Sequence, residues 1–195
     1  IGTIVSLLVC LLCFSAAFFL WKAALAGREA GEEEDFRPVV GDPPYRIAVD
    51  AGHGGSDPGA QGIVTESEMT AQTAQDLLAW LEADSNYIPL ISRESYDVTA
   101  KPSERAAAIH AQNPDLMLSI HGNSAPEGST ASGFECYPSV PGRTWHKESY
   151  YFARQLAEKM QQAGAKLRGH GGIRYIYYQG EAKQLVESNH TEVRE

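Results

Sequence analysis

Ile47-Ala48-Val49-Asp50-Ala51-Gly52-His53-Gly54-Gly55-Ser56-Asp57-Pro58-Gly59-Ala60 is a short β-prone run that ends in a histidine set among glycines. Leu118-Ser119-Ile120-His121-Gly122-Asn123 repeats the pattern further along. In both places apolar residues stop at a His followed by Gly, the residue that lets a backbone leave a sheet and turn. Side chains at such strand ends line the binding crevice of open α/β sheets. Two imidazoles placed there, with a carboxylate from a nearby helix start, make a His/His/Glu zinc set whose fourth position is open to water, the arrangement of a hydrolase.

Reading outward from these two strands, Met69, Thr73, Leu77 and Leu81 are spaced by four and predict a helix starting near Glu66 with that stripe in the core. Glu66 and Glu68 both stand in its first turn, and either can bring a carboxylate inward. A second strand is expected over 88–92, then Pro102-Ser103 precedes a short helix through Ala111 that ends near the Asn113-Pro114 breaker. The third strand is 116–121. A further strand is expected over 133–137, then a helix over 146–163 that buries Phe152, Leu156 and Met160 and stops at Gly164. Strands alternating with helices predict an α/β fold, a mainly parallel sheet flanked by helices on both faces, in a single domain over 45–195.

The chain has 195 residues, 16 Lys and Arg against 25 Asp and Glu, and a formal net charge of -9, with no basic cluster to neutralise phosphates, which argues against nucleic acid as a partner. Residues 1–21 carry no charge and as a helix would be ~30 Å long at ~1.5 Å per residue, one hydrocarbon core. They are read as an N-terminal transmembrane anchor. A cleaved signal peptide ending at Ala24-Leu25-Ala26 is the competing reading, disfavoured by the length of the run and by Lys22 ahead of that site. Residues 22–44, acidic and proline-containing, read as a linker. Cys10 and Cys13 fall inside the apolar run as small apolar residues, which leaves Cys136 alone in the rest of the chain.

With these motifs in place, the chain resembles the zinc-dependent N-acetylmuramoyl-L-alanine amidases that cut bacterial peptidoglycan, from about Tyr45 to about Arg168. The resemblance rests on Val49 to Gly55 with Asp57-Pro58-Gly59-Ala60, a helix-opening Glu66, Ser92-Arg93 with Asp97, Glu104-Arg105, Asp115-Leu116, Ser119 to Ser124, and Gly133-Phe134-Glu135-Cys136-Tyr137, in the family's order. It implies Zn²⁺ held by His53, Glu66 and His121, with Glu68 an ordinary first-turn acid. It also implies peptidoglycan as the partner and cleavage of the amide between N-acetylmuramic acid and L-alanine. A substrate outside the membrane then implies a single-pass protein of the cell membrane with an extracytoplasmic catalytic domain.

Around the three ligands, the supporting roles are less uniquely specified. Asp50, three residues before His53 on the same strand, offers a carboxylate to orient that imidazole or to take loop amides. Arg93 and Arg105 are expected in salt bridges, with Asp97 a candidate partner. Asn123 and Ser124 are expected to hydrogen-bond substrate or to shape the turn after His121, and His110, His146, His170 and His190 fit no ligand position. The family's catalytic glutamate near the C-terminus aligns with Glu187 in Gln184-Leu185-Val186-Glu187-Ser188-Asn189. The favoured reading, because the Gly-Phe that the family carries after this glutamate is missing here, makes 173–195 an insertion ahead of the last strand and the chain a fragment. Rival functions are another zinc peptidase or deacetylase, and a membrane-anchored wall-binding protein without catalysis.

Overall fold

The computed structural model describes residues 36–179 and 182–187. The expected membrane anchor over 1–21 and the first part of the expected linker lie outside the described residues. Among the described residues no helix is long and apolar enough to cross a membrane, and 36–44 form neither helix nor strand. Two compact units emerge from the contacts: one is Val40–Ser129, the other combines the described parts of Ile1–Val39 and Thr130–Glu195.

The first unit is built on three parallel strands in the order β2-β1-β3: β1 (Tyr45–Ala51), β2 (Tyr87–Ile91) and β3 (Leu116–Ile120). Pro89 lacks an N–H to donate to a ladder, and it sits in β2, paired on one side only among the described residues. Side chains of β1 alternate between the two faces. Val49 and Ala51 pack against Ala74 and Leu81 of helix α1 (Glu66–Glu82), together with Leu77, Leu78 and Ile120. Ala48 points the other way, onto Leu90 and onto Ile109 of helix α2 (Pro102–His110). The parallel sheet with a helix on each face is thus present in this unit, as the alternating pattern predicts. Of the expected stripe, Leu81 is buried and Leu77 packs on the core, but nearer the N-terminus the buried residues are Thr70 and Ala74, while Thr73 is exposed. Small residues let the helix approach the sheet closely, which the apolar spacing alone does not register.

The second unit holds helix α3 (His146–Gln162) and an antiparallel hairpin of β4 (Arg174–Gln179) and β5 (Ala182–Glu187). Tyr150 and Ala153 of α3 pack with Ile173 and Tyr175, and Cys136, Val140 and Tyr177 complete the cluster. The buried row of α3 is His146, Tyr150, Ala153 and Ala157, so Phe152, Leu156 and Met160 are only half-buried neighbours. Instead of the strand expected over 133–137 there are two isolated parallel bridges, Phe134 with Leu167 and Cys136 with Ile173. Beneath them the Glu135 side chain is 3% exposed and paired with Arg174 at 2.9 Å and Arg168 at 3.4 Å. Tyr137 donates its hydroxyl to the same carboxylate at 2.5 Å.

Candidate metal centre

Three elements of the first unit converge at the C-terminal edge of its sheet. His53 follows β1, His121 follows β3, and Glu66 is the first residue of α1. His53 Nε2 lies 3.1 Å and His121 Nδ1 3.2 Å from Glu66 Oε1. The two rings meet edge to face, with centroids 5.0 Å apart, and one ligand atom from each residue falls within a 4.8 Å span. Zinc ligands at ~2.0–2.1 Å in a tetrahedron stand about 3.3 Å from one another. The residues present therefore fit a zinc ion. Glu66 is 6% exposed, His53 24% and His121 44%, so the carboxylate forms the floor and His121 the open side.

Local sequence explains how these side chains are held. Gly52 is where the chain leaves the sheet: its N–H donates to Ile120 O, and any Cβ there would collide with the His121 ring. Thr70 of α1 donates its hydroxyl to Gly52 O at 2.6 Å. His53 then adopts φ +62, a left-handed conformation that costs a non-glycine residue about 1–2 kcal/mol. Arg93 compensates, because its Nη2 donates to the carbonyls of both Ala51 and His53. Gly54 and Asp57 then exchange backbone hydrogen bonds across a tight turn, with Gly55 at φ +59. This turn returns Asp57 to His53, whose Nδ1 it meets at 2.9 Å through Oδ2.

Burial pushes the Glu66 carboxyl up, but the N–H groups of Ala60 and Gly122, each 2.8 Å away, together with His53 and His121, outweigh it and hold it below the ordinary 4.5. Its place at a helix N-terminus favours the same anionic form. The hydrogen bond to His53, followed by that from Gly59 N–H, holds Asp57 below the ordinary 3.8. Burial pushes the Cys136 thiol up to about 11, which keeps it protonated and inert as a ligand at neutral pH.

A model of the N-acetylmuramoyl-L-alanine amidase family matches residues 47–190. The chain belongs to that family. It is 38% identical over 100 residues to the sporulation-specific N-acetylmuramoyl-L-alanine amidase of Bacillus subtilis, a match covering 51% of this chain and 38% of that protein. It is 31% identical over 159 residues to the N-acetylmuramoyl-L-alanine amidase AmiC of Escherichia coli, covering 78% of this chain and 34% of the other. The chain thus matches well under half the length of these relatives. Among solved structures it resembles the N-acetylmuramoyl-L-alanine amidase of Clostridium difficile 630, with TM-score 0.58, 26% identity, and coverage of 66% of this chain and 68% of that one. The catalytic domain of CwlV, the amidase of Bacillus (Paenibacillus) polymyxa, gives TM-score 0.56 at 26% identity, over 69% of this chain and 71% of that one. The family match takes in residues of both units.

Glu68 is exposed, so the carboxylate facing the histidines is Glu66. Asp50 does not orient His53. It is buried, and its two oxygens take Arg105 Nε and Ser119 Oγ, each at 2.8 Å. The reason is alternation: Asp50 shares its face of β1 with Ala48 and points at α2, which carries Arg105. The ion pair of Arg105 is therefore with Asp50, and Arg93 serves backbone carbonyls. Asn123 is exposed and directly follows Gly122, whose N–H donates to Glu66. Glu187 ends β5, opposite Arg174 in the hairpin register, in the second unit. Sequence reasoning missed Asp57 as the partner of His53, although the Gly54-Gly55 pair signals a tight turn, and the turn that pairs Gly54 with Asp57 sets the Asp57 side chain beside His53.

Proposed function

We propose that this chain is a zinc-dependent N-acetylmuramoyl-L-alanine amidase that hydrolyses the amide between N-acetylmuramic acid and the first stem-peptide residue, L-alanine, of peptidoglycan. The observation that carries the reading is the convergence of His53 Nε2, His121 Nδ1 and the Glu66 carboxylate in a family member. When bound there, zinc supplies a Lewis acid for the carbonyl and a water acidified towards neutrality. The chain's own part is to present two neutral imidazoles and one carboxylate at one opening and to hold them there through the Gly52 exit and the Arg93 contacts. Asn123, at the rim after β3, is assigned to the substrate. Glu187 is assigned as the group that accepts the proton of the attacking water, a role that typically contributes ~10² to 10⁴-fold. The N-terminal apolar segment is assigned as an uncleaved anchor, the linker as its tether, and the catalytic domain to the extracytoplasmic side.

The test uses the full chain loaded with zinc and purified peptidoglycan. Release of stem peptides bearing new L-alanine N-termini, lost on chelation and restored by zinc, is the expected result. Glycan or peptide-peptide cleavage instead would overturn the bond assignment. Retention of wall fragments without cleavage would make the chain a binder. Glu187→Gln should lower the rate at least about a hundredfold with zinc retained, and an unchanged rate places the base elsewhere. In bacteria the chain should stay with the membrane through a carbonate wash, whereas a soluble form starting near Gly27 would show cleavage.

A further inference from the structure

Among the described residues one side-chain carboxylate, that of Asp57, meets the outward nitrogen of a proposed ligand, and both of its oxygens are occupied. Asp57 Oδ2 stands 2.9 Å from His53 Nδ1, and Asp57 Oδ1 accepts the Gly59 N–H at 3.1 Å. An ionised carboxylate only accepts hydrogen bonds. The partner on the ring must therefore be Nδ1–H, and in a neutral ring that puts the lone pair on Nε2, the atom 3.1 Å from Glu66 Oε1, where a cation would stand between the two. Asp57 is itself 53% exposed on its side chain, so its charge is screened and its leverage is directional: it decides which nitrogen of His53 carries the proton.

We propose that Asp57 is a positioning residue that fixes the tautomer of His53, so that Nε2 is free to bind the metal. The inference rests on the zinc reading of the site. It has an uncommon consequence for the isosteric variant. In Asp57→Asn the amide oxygen must stay at the Gly59 N–H, since two donors cannot face each other, and this turns the NH₂ towards His53. Nδ1 must then accept, and the ring adopts the Nε2–H form, which cannot ligate. In Asp57→Ala neither tautomer is imposed. The near-identical Asn is therefore the more damaging replacement. Gly59 has φ +65, and a Cβ there would stand 2.7 Å from His53 Cδ2, so the turn that carries the Gly59 N–H lies close against the His53 ring.

Zinc affinity of the full chain, measured by competition with a chelator, is the main readout, and ¹⁵N resonances of the His53 ring in the zinc-loaded protein are the second. Asp57→Ala is expected to lose about 10- to 100-fold in affinity, the range for removing a ligand's hydrogen-bond partner. Asp57→Asn is expected to lose more. A role limited to bracing the loop gives the reverse order, because Asn keeps the bond from Gly59 and Ala does not. Affinity in Asp57→Asn equal to or above that of Asp57→Ala overturns the proposal. So does a zinc-loaded wild-type ring with its proton on Nε2, a measurement that decides the matter even if Asp57→Asn fails to fold. His53→Ala separates the two levels: if it leaves zinc affinity unchanged, the zinc reading itself fails, whereas lowered affinity there with the wrong order at position 57 sinks only the tautomer assignment.

Discussion

Two glutamates with buried side chains, one in each unit, are each gathered up by two basic side chains, and they make opposite things. Glu66 faces His53 and His121, and Glu135 faces Arg168 and Arg174. Both carboxyls are held below the ordinary 4.5 against the upward push of burial. What differs is whether the partners own a lone pair. A neutral imidazole does, so the Glu66 group can exchange its internal contacts for a cation. A guanidinium has donors only and never releases its charge, so the Glu135 group is closed. The clustering of a carboxylate with bases therefore does not make a site. The ability of the bases to turn from donor to ligand does.

The comparison is broken or sharpened by variants on each side. The largest effect is expected at Glu66→Ala: loss of zinc and of several kcal/mol of transition-state stabilisation, hence at least about a thousandfold in turnover. Zinc retained in that variant, read by metal analysis, would erase the distinction between the two clusters. Glu135→Ala removes the carboxylate that Arg168 and Arg174 share and should cost about 1–3 kcal/mol of stability, seen as a lowered denaturation midpoint with zinc stoichiometry intact. Loss of zinc there would mean that the closed cluster also serves the metal.

A smaller effect is expected from acid. Because the folded pKa of Glu135 is depressed, its contribution is complete above the unfolded value of 4.5 and disappears as pH falls through the folded value. Wild-type stability should then fall more steeply than that of Glu135→Gln as pH drops below about 4.5, and parallel curves would refute the depression. Gly59→Ala should cost about 1–2 kcal/mol for its left-handed backbone and weaken zinc binding, since a Cβ would stand 2.8 Å from Glu66 Oε2. Glu68→Ala, on the exposed side of the same helical turn, should shift stability by no more than about 0.5 kcal/mol and leave zinc bound.

How much of this was legible in the sequence follows from the range of the interactions. His53 and His121 are strand-end residues followed by glycine, a local signal, and the structure brings them together where that signal points. Glu66 over Glu68 depends on helical register relative to the sheet, and the resemblance to the family supplied it. Nearness in sequence offered Asp50 either to His53 or to loop amides, and neither is its role: the pleat turns Asp50 towards Arg105 and lets a four-residue turn deliver Asp57 to His53 instead. The cluster around Glu135 left no local trace: its arginines lie 33 and 39 residues downstream, and only the bridges of the second unit bring them back. The buried rows include the small residues Thr70 and Ala74 in α1 and Ala153 and Ala157 in α3, so a pattern of large apolar residues located both helices and caught Leu81 but passed over the small residues that face the core.

One consequence of the strand pairing concerns fidelity. Ala51 pairs with Ile120, His53 lies two residues beyond the first and His121 one beyond the second. The sheet is thereby a gauge with a single correct setting. A slip of one residue would move one histidine about 3.3 Å along the other and turn every β3 side chain to the opposite face. A cation that needs both imidazoles binds one setting and not its neighbours, and at a hundred times its dissociation constant it favours that setting by about 2.7 kcal/mol. Hydrogen-exchange protection of β3 should accordingly rise when zinc is added. The metal assigned to the chemistry would then act earlier as well, as an inspector of strand alignment in chains still settling into their fold.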